Sequence, residues 1–289
     1  MPRDPEAIVR AYSRKIDRLI RRGERLTEDD ARRLRRLFVA FRAQALARLP
    51  VVSQLNRAAI AGVIGALDAQ LQVLADQVHD LVEAGTAAQL DLAREMTRVY
   101  GETFVDELDL DAVMRQFSGA RLSALDAVSG FSAELIGVSS GGLRADILSE
   151  VNREIRLSAL GAGEGTFAGT VAVERALSGV AKWTARAERI YRTETLRAHS
   201  IVTEQTIREL NRYSPTRKRW NWSGISRREH AAIDGQTIEV GGRYRVPLRD
   251  GGTVLMRWPR DPSAPASATI NCGCYETPVP AESTARRAA

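Results

Sequence analysis

The chain has 289 residues, with 42 Lys+Arg against 36 Asp+Glu, a formal net charge of +6 and a hydrophobic fraction of 44%. That length supports about two domains of ordinary size, and that fraction can bury real cores, which excludes disorder throughout. No stretch approaches the roughly 20 apolar residues of a membrane span, and residues 1–25 carry arginines where a secretory signal would carry an apolar core.

We therefore expect a product made in the cytosol, with no membrane partner. The two cysteines, Cys272 and Cys274, flank a single glycine, so a bridge between them would close a strained ring and a disulfide framework is excluded. Charge is distributed in blocks. Residues 1–50 hold 14 cations and 7 anions, residues 51–150 hold 6 and 15, and residues 151–289 hold 22 and 14. A basic arm, an acidic block and a second basic block follow one another.

Val9, Tyr12, Ile16 and Leu19 are spaced for one helix face, and Gly23 reads as its stop. Thr27 then reads as an N-cap followed by Glu28, Asp29 and Asp30, with Leu34, Phe38, Phe41 and Ala45 on the face of a second helix that ends before Pro50. Ile60, Ile64, Leu67, Leu71, Leu74, Val78 and Leu81 form a heptad seam, which calls for a partner helix. An antiparallel bundle with neighbouring helices is the expected solution, with self-association through the seam as its alternative. Shorter helices are expected at 85–104 and 109–117. A Gly/Ser-punctuated region of small helices follows over 118–169.

A long helix is expected over 183–211. Ala187, Ile190, Glu194, Ala198 and Ile201 fall within a sector of about 80° on it, placing one carboxylate on an apolar stripe. Glu194 then needs a cation or hydrogen-bond donor, and Arg197 on the next turn is one candidate. After Tyr213 the texture changes. Lys218 to Trp222 reads as a strand, Ser226 to Ile233 as a short helix and Asp234-Gly235 as its exit turn. Tyr244 to Leu248 and Thr253 to Trp258 read as strands joined at Asp250-Gly251-Gly252. Residues 277–289 read as a flexible tail. The expected fold class is mainly α with a small C-terminal α+β region. An elongated N-terminal helical bundle (1–145) precedes a compact domain of short antiparallel strands (146–276).

The C-terminal half carries an ordered set: Arg192-Thr193-Glu194, Lys218-Arg219-Trp220, His230, Asp234-Gly235-Gln236, Val246-Pro247, Pro259-Arg260-Asp261-Pro262 and Asn271-Cys272-Gly273-Cys274. In type and order it resembles the phage head morphogenesis domain, the family of the F protein of phage Mu and related minor head proteins. The resemblance covers about residues 145–276. The family usually carries an arginine between its cysteines, where this chain has Gly273, and an aspartate after the tryptophan strand, where it reads Ser223-Gly224-Ile225.

The resemblance implies a structural minor capsid protein without catalytic activity, held in few copies at the portal vertex inside the virion after synthesis in the host cytoplasm. Its implied partners are the portal protein, major capsid or scaffolding protein and packaged double-stranded DNA. Arg192, Glu194, Trp220, His230, Asp234, Gly235, Pro259, Asp261, Pro262, Asn271, Cys272 and Cys274 are the motif positions with framework roles.

The same residues have a chemistry of their own. Cys272, Cys274 and His230, with Asp234 or Asp261 as a fourth ligand, could hold structural zinc; the alternative is a packed, hydrogen-bonded knot requiring no cofactor. His79 and His199 sit on helices elsewhere. His230 and Asp234 are four apart and would share a helix face, which admits a general base, and convergence with Glu194 would make a metal-dependent nuclease. No nucleophile elbow, phosphate loop or HExxH accompanies them. Arg217, Lys218 and Arg219, interleaved with Trp220 and Trp222, are candidate DNA contacts. Arg14, Lys15, Arg18, Arg21, Arg22 and Arg25, continued by Arg32, Arg33, Arg35 and Arg36, would line helix faces. There they could track phosphates or pair with acidic protein, the former also admitting a free DNA-binding accessory protein.

Overall fold

Tyr12, Ile16 and Ile20 recur every four residues, and the stripe continues through Leu34, Phe38, Phe41 and Ala45, all buried. In the computed structural model these positions lie on one helix, α1, Pro5–Arg48. The structure describes residues 4–48, 57–105, 180–224 and 227–281, with scattered positions between 113 and 178. The helix expected at 109–117 and most of the region 118–169 lie outside the described residues, as do 225–226 and 282–289.

Gly23 does not stop α1. A Cβ there would lie 2.4 Å from Leu92 Cδ2 and 2.8 Å from the Tyr275 hydroxyl, so the glycine admits close packing inside a continuous helix. Thr27 is not an N-cap either. Its hydroxyl donates to the Gly23 carbonyl at 3.0 Å, and the Gln89 amide donates to both Gly23 O and Thr27 Oγ1 at 3.0 Å. These bonds satisfy polar groups that would otherwise favour a break. Likewise, the helices expected at 60–81 and 85–104 are one, α2, Arg57–Phe104. The third long helix, α3, is Val180–Tyr213.

The chain forms two compact units, one of Met1–Asp29, Ala84–Val128 and Arg192–Ala289, the other of Asp30–Glu83 and Ser129–Tyr191. They interleave along the sequence and do not follow the boundary expected near residue 145. In the second unit Leu34, Phe38 and Phe41 pack with Leu67, Leu71, Leu74 and Val78 of the seam and with Trp183, Ala187 and Tyr191 of α3. The seam thus finds its partners within the chain. Polar anchors border this core: Tyr191 donates to Asp30 at 2.7 Å, and Arg35 pairs with Glu188 through two bonds of 2.8 and 3.0 Å.

In the first unit, Tyr12 packs edge-on against Tyr100 and Phe104, with ring centroids 5.9 and 5.0 Å apart, while Gly23 lies opposite Gln89. The α1 and α2 segments there are therefore antiparallel. Beyond α3 come β1 (Thr216–Asn221), a short 3₁₀ helix (Arg228–Ile233), β2 (Thr237–Glu239), β3 (Tyr244–Pro247), β4 (Thr253–Met256), a helical turn α4 (Ala266–Thr269) and β5 (Tyr275–Pro280). One antiparallel sheet runs β2-β1-β5, pairing Lys218 with Ile238 and Pro278, and Trp220 with Glu276; β3 and β4 form a hairpin.

The protein is mainly helical with a small antiparallel region at the end. Residues 277–280, expected in a tail, belong to β5, because the amides and carbonyls of β1 need a partner on that side. The Tyr12 hydroxyl donates to Pro278 O at 2.5 Å and ties this strand to α1. Among the described residues no helix is long and apolar enough to cross a membrane.

Gly23→Ala removes about 1 kcal/mol of glycine penalty from a helix interior but drives a methyl into buried Leu92 and Tyr275. We expect a net loss of about 1 kcal/mol or more, read as a lower denaturant midpoint; a stabilised variant would show that the contact yields freely.

Candidate functional site

The α3 segment from Arg192 to Ser200 meets the C-terminal loops through Thr193 and Ser200. The Arg192 guanidinium reaches both carboxylate oxygens of Glu28 on α1. The Thr193 hydroxyl accepts the Asn271 amide at 3.0 Å, and Asn271 takes a left-handed φ of 59° that turns the chain out of α4 into the cysteine loop. Glu194 is buried and pairs with Arg197 at 2.7 Å, so the stripe carboxylate is both enclosed and partnered on its own helix. Burial pushes its carboxyl up, against the pull of Arg197 and Arg260.

Arg260 is the hub. Its side chain is fully buried, donating to Cys272 O at 2.7 Å and to Ser200 Oγ at 2.6 Å, from a backbone with φ of 64°. Left-handed geometry costs an arginine about 1 kcal/mol or more and persists only where its surroundings demand it. Asp261 shapes the same loop. It accepts bonds from the Arg257 amide and guanidinium and from the Ser263 amide and hydroxyl. Burial would raise its carboxyl, but these donors hold it well below the usual carboxylate range. Pro259 beside them is buried, whereas Pro262 is exposed.

Cys272, Cys274 and His230 come together. Nδ1 of His230 lies 3.6 Å from each Sγ, all three side chains are buried, and their candidate ligand atoms lie within 4.8 Å of one another. Trp220 packs edge-on against the imidazole at 5.7 Å. The one-residue spacing of the cysteines works because 272–274 is extended, leading into β5, and residues two apart in an extended chain share a face. The thiols are driven apart electrostatically. The hydrogen bond from Cys274 lowers Cys272, as do His230 and Arg260, while burial raises Cys274.

Asp234 and Asp261 do not join this group. The expected shared face of His230 and Asp234 fails because the segment is a short 3₁₀ helix that ends at Ile233, leaving Asp234 as its C-cap with φ −58° and ψ 133°, off the helix. His230 is buried and Asp234 is exposed, its Oδ1 accepting the Trp222 amide at 2.8 Å. Gly235, at φ 76°, gives its amide to Trp220 O at 2.9 Å and closes the turn onto β1. Glu194 is likewise absent from the group of candidate ligands, as are exposed His79 and buried His199. His199 donates from Nδ1 to Gln89 O at 2.9 Å, packs on Tyr275, and is lowered by burial to about 4.

The candidate DNA cluster is divided by strand alternation. Thr216, Lys218 and Trp220 point inward together, and Lys218 has no exposed surface. Its ammonium pairs with Glu204 at 2.9 Å and Glu276 at 3.4 Å, and it also reaches Arg257 O. A sealed ammonium has no access to a phosphate. Arg217 pairs with Glu239 at 2.8 Å, and Arg219 is half-buried beside Gly235. Comparison with protein-family models, curated proteins and solved structures finds no match to this chain.

Two outcomes test this description. Glu194→Ala leaves Arg197 and Arg260 short of a buried negative charge, and we expect a loss of about 2 kcal/mol or more in chemical denaturation; an unchanged midpoint would mean that Glu194 is dispensable to the fold.

Glu276 supplies a pH signature. Burial and the Glu204 carboxylate push its carboxyl up to about 8 from 4.5, despite Lys218. A carboxyl raised on folding stabilises fully below its unfolded value and loses that contribution as pH rises through its native value. Stability should therefore fall from about pH 4.5 to about pH 8 and level off above that, and Glu276→Gln should flatten the slope; an equal slope in wild type and variant would assign the titration elsewhere.

Proposed function

We propose that this chain is a minor head protein of a tailed phage or prophage. In this reading it is a structural, non-enzymatic protein held in few copies at the portal vertex inside the capsid, acting in head morphogenesis, packaging or ejection. The observation that carries the reading is the assembly of the ordered motif into one buried network. Thr193 binds Asn271, Arg260 binds Cys272, His230 meets both cysteines, and Gly235 binds Trp220. Framework roles for these motif positions are what the family resemblance calls for, and these contacts support that reading.

Contact with DNA or an acidic protein surface rests on α1 in place of β1. Arg14, Lys15, Arg18, Arg21, Arg22 and Arg25 are all exposed on that helix. Such a face suits phosphate contacts, whose strength falls steeply with salt, and it equally suits an acidic portal surface.

The test is coexpression with the portal protein of the same genome. We expect the two to co-purify as a complex that survives nuclease treatment and weakens when Arg14, Arg18, Arg21 and Arg25 are replaced together by glutamine. Absence of any portal association, with salt-dependent duplex binding retained, would overturn the reading in favour of a free DNA-binding accessory protein.

A further inference from the structure

The cluster at the start of β5 has the dimensions of a metal site. Zinc bonds of about 2.05 Å to nitrogen and 2.3 Å to sulfur, set at a tetrahedral angle, place the nitrogen and sulfur about 3.6 Å apart. His230 Nδ1 lies 3.6 Å from Cys272 Sγ and 3.6 Å from Cys274 Sγ. Two separate edges thus match the same tetrahedron, and the three atoms share a sphere small enough for one ion.

The surroundings argue the same way. His230 Nε2 is buried without a hydrogen-bond partner, so the imidazole's polar contacts reduce to two thiol sulfurs, which are weak donors and acceptors. That is poor compensation for enclosing an imidazole, whereas a metal bond at Nδ1 supplies a strong one. The ligands are also held from outside. Arg260 fixes the Cys272 carbonyl, Thr193 fixes the Asn271 amide, and Trp220 packs on the imidazole edge. A ring and a loop positioned by three different elements are organised before any ion arrives.

We propose that His230, Cys272 and Cys274 bind one soft divalent cation of the zinc class, with the fourth position taken by water or another exogenous donor. Asp234 and Asp261 are excluded as that fourth ligand, the first by its exposed position on the Trp222 amide and the second by its bonds to Arg257 and Ser263. The proposal goes beyond the portal reading and does not depend on it.

Because Cys272 and Cys274 are the chain's two cysteines, a thiolate signature can arise from no other residues. The full chain, purified without chelator under reducing conditions, should carry about one zinc per molecule by elemental analysis. After exchange, Co²⁺ should give thiolate-to-cobalt charge-transfer absorption and the intense visible bands of tetrahedral geometry. Azide should shift those visible bands by entering the fourth position. His230→Gln and the double variant C272S/C274S should lose metal and charge-transfer absorption.

A wild-type chain that neither retains zinc nor binds added Zn²⁺ or Co²⁺ would overturn the site whatever the variants do. Cobalt bound without charge-transfer absorption, or zinc retained undiminished in C272S/C274S, would do so equally. A cobalt spectrum indifferent to azide would overturn the open fourth position.

Discussion

Two cations enclosed between α3 and the C-terminal strands set the terms for the rest of this unit. Lys218 and Arg260 have no exposed surface, and a buried charge is tolerable only where the surrounding groups answer it. Lys218 requires Glu204 from α3 and Glu276 from β5, so one ammonium fixes the distance between a helix and a strand remote in sequence. Arg260 requires Ser200 from α3 and the Cys272 carbonyl, which places the cysteine loop against the same helix. Removing either cation would leave carboxylates or carbonyls without their donor. The sheet and the loop are therefore docked by satisfaction of charge as much as by apolar area.

That docking is also what assembles the His230, Cys272 and Cys274 group. The histidine comes from a 3₁₀ helix after β1, and the thiols come from the extended lead into β5. Trp220 on β1 packs edge-on against the imidazole. Tyr244, Val246, Met256 and Ala268 belong to the same buried cluster as Trp220 and the two cysteines. The basic α1 face lies apart from this chemistry in type as well as in residue, being solvent-exposed guanidinium without an apolar surround.

Much of the helical half was legible because its signal is periodic and local. The seam from Leu67 to Val78 announced a buried face, and the same residues are buried against Phe38 and Trp183. Gly23 misled because a glycine at the end of an apolar run reads as a stop, whereas its purpose is to let Leu92 and Tyr275 approach. Nothing near Gly23 in sequence carries that information. Lys218 is the opposite case. The alternation of Thr216, Lys218 and Trp220 was visible, and a strand that buries Trp220 must also turn Lys218 inward. Arg260 and Ser200 gave less warning, since a buried arginine in left-handed geometry has no local signature.

The sequence by itself determined the fold class, the long helices, the hairpin at Asp250 to Gly252 and the order of the C-terminal motif, because periodicity and turn chemistry act over a few residues. Only the tertiary structure decided that two pairs of expected helices are continuous, that β5 closes the sheet, and that Glu204 and Glu276 are the partners Lys218 meets inside. It also decided which of the motif's acids stand away from the cysteines. Those outcomes depend on side chains brought together from positions scores of residues apart, where burial makes every charge and hydrogen bond answerable to partners that no local pattern names.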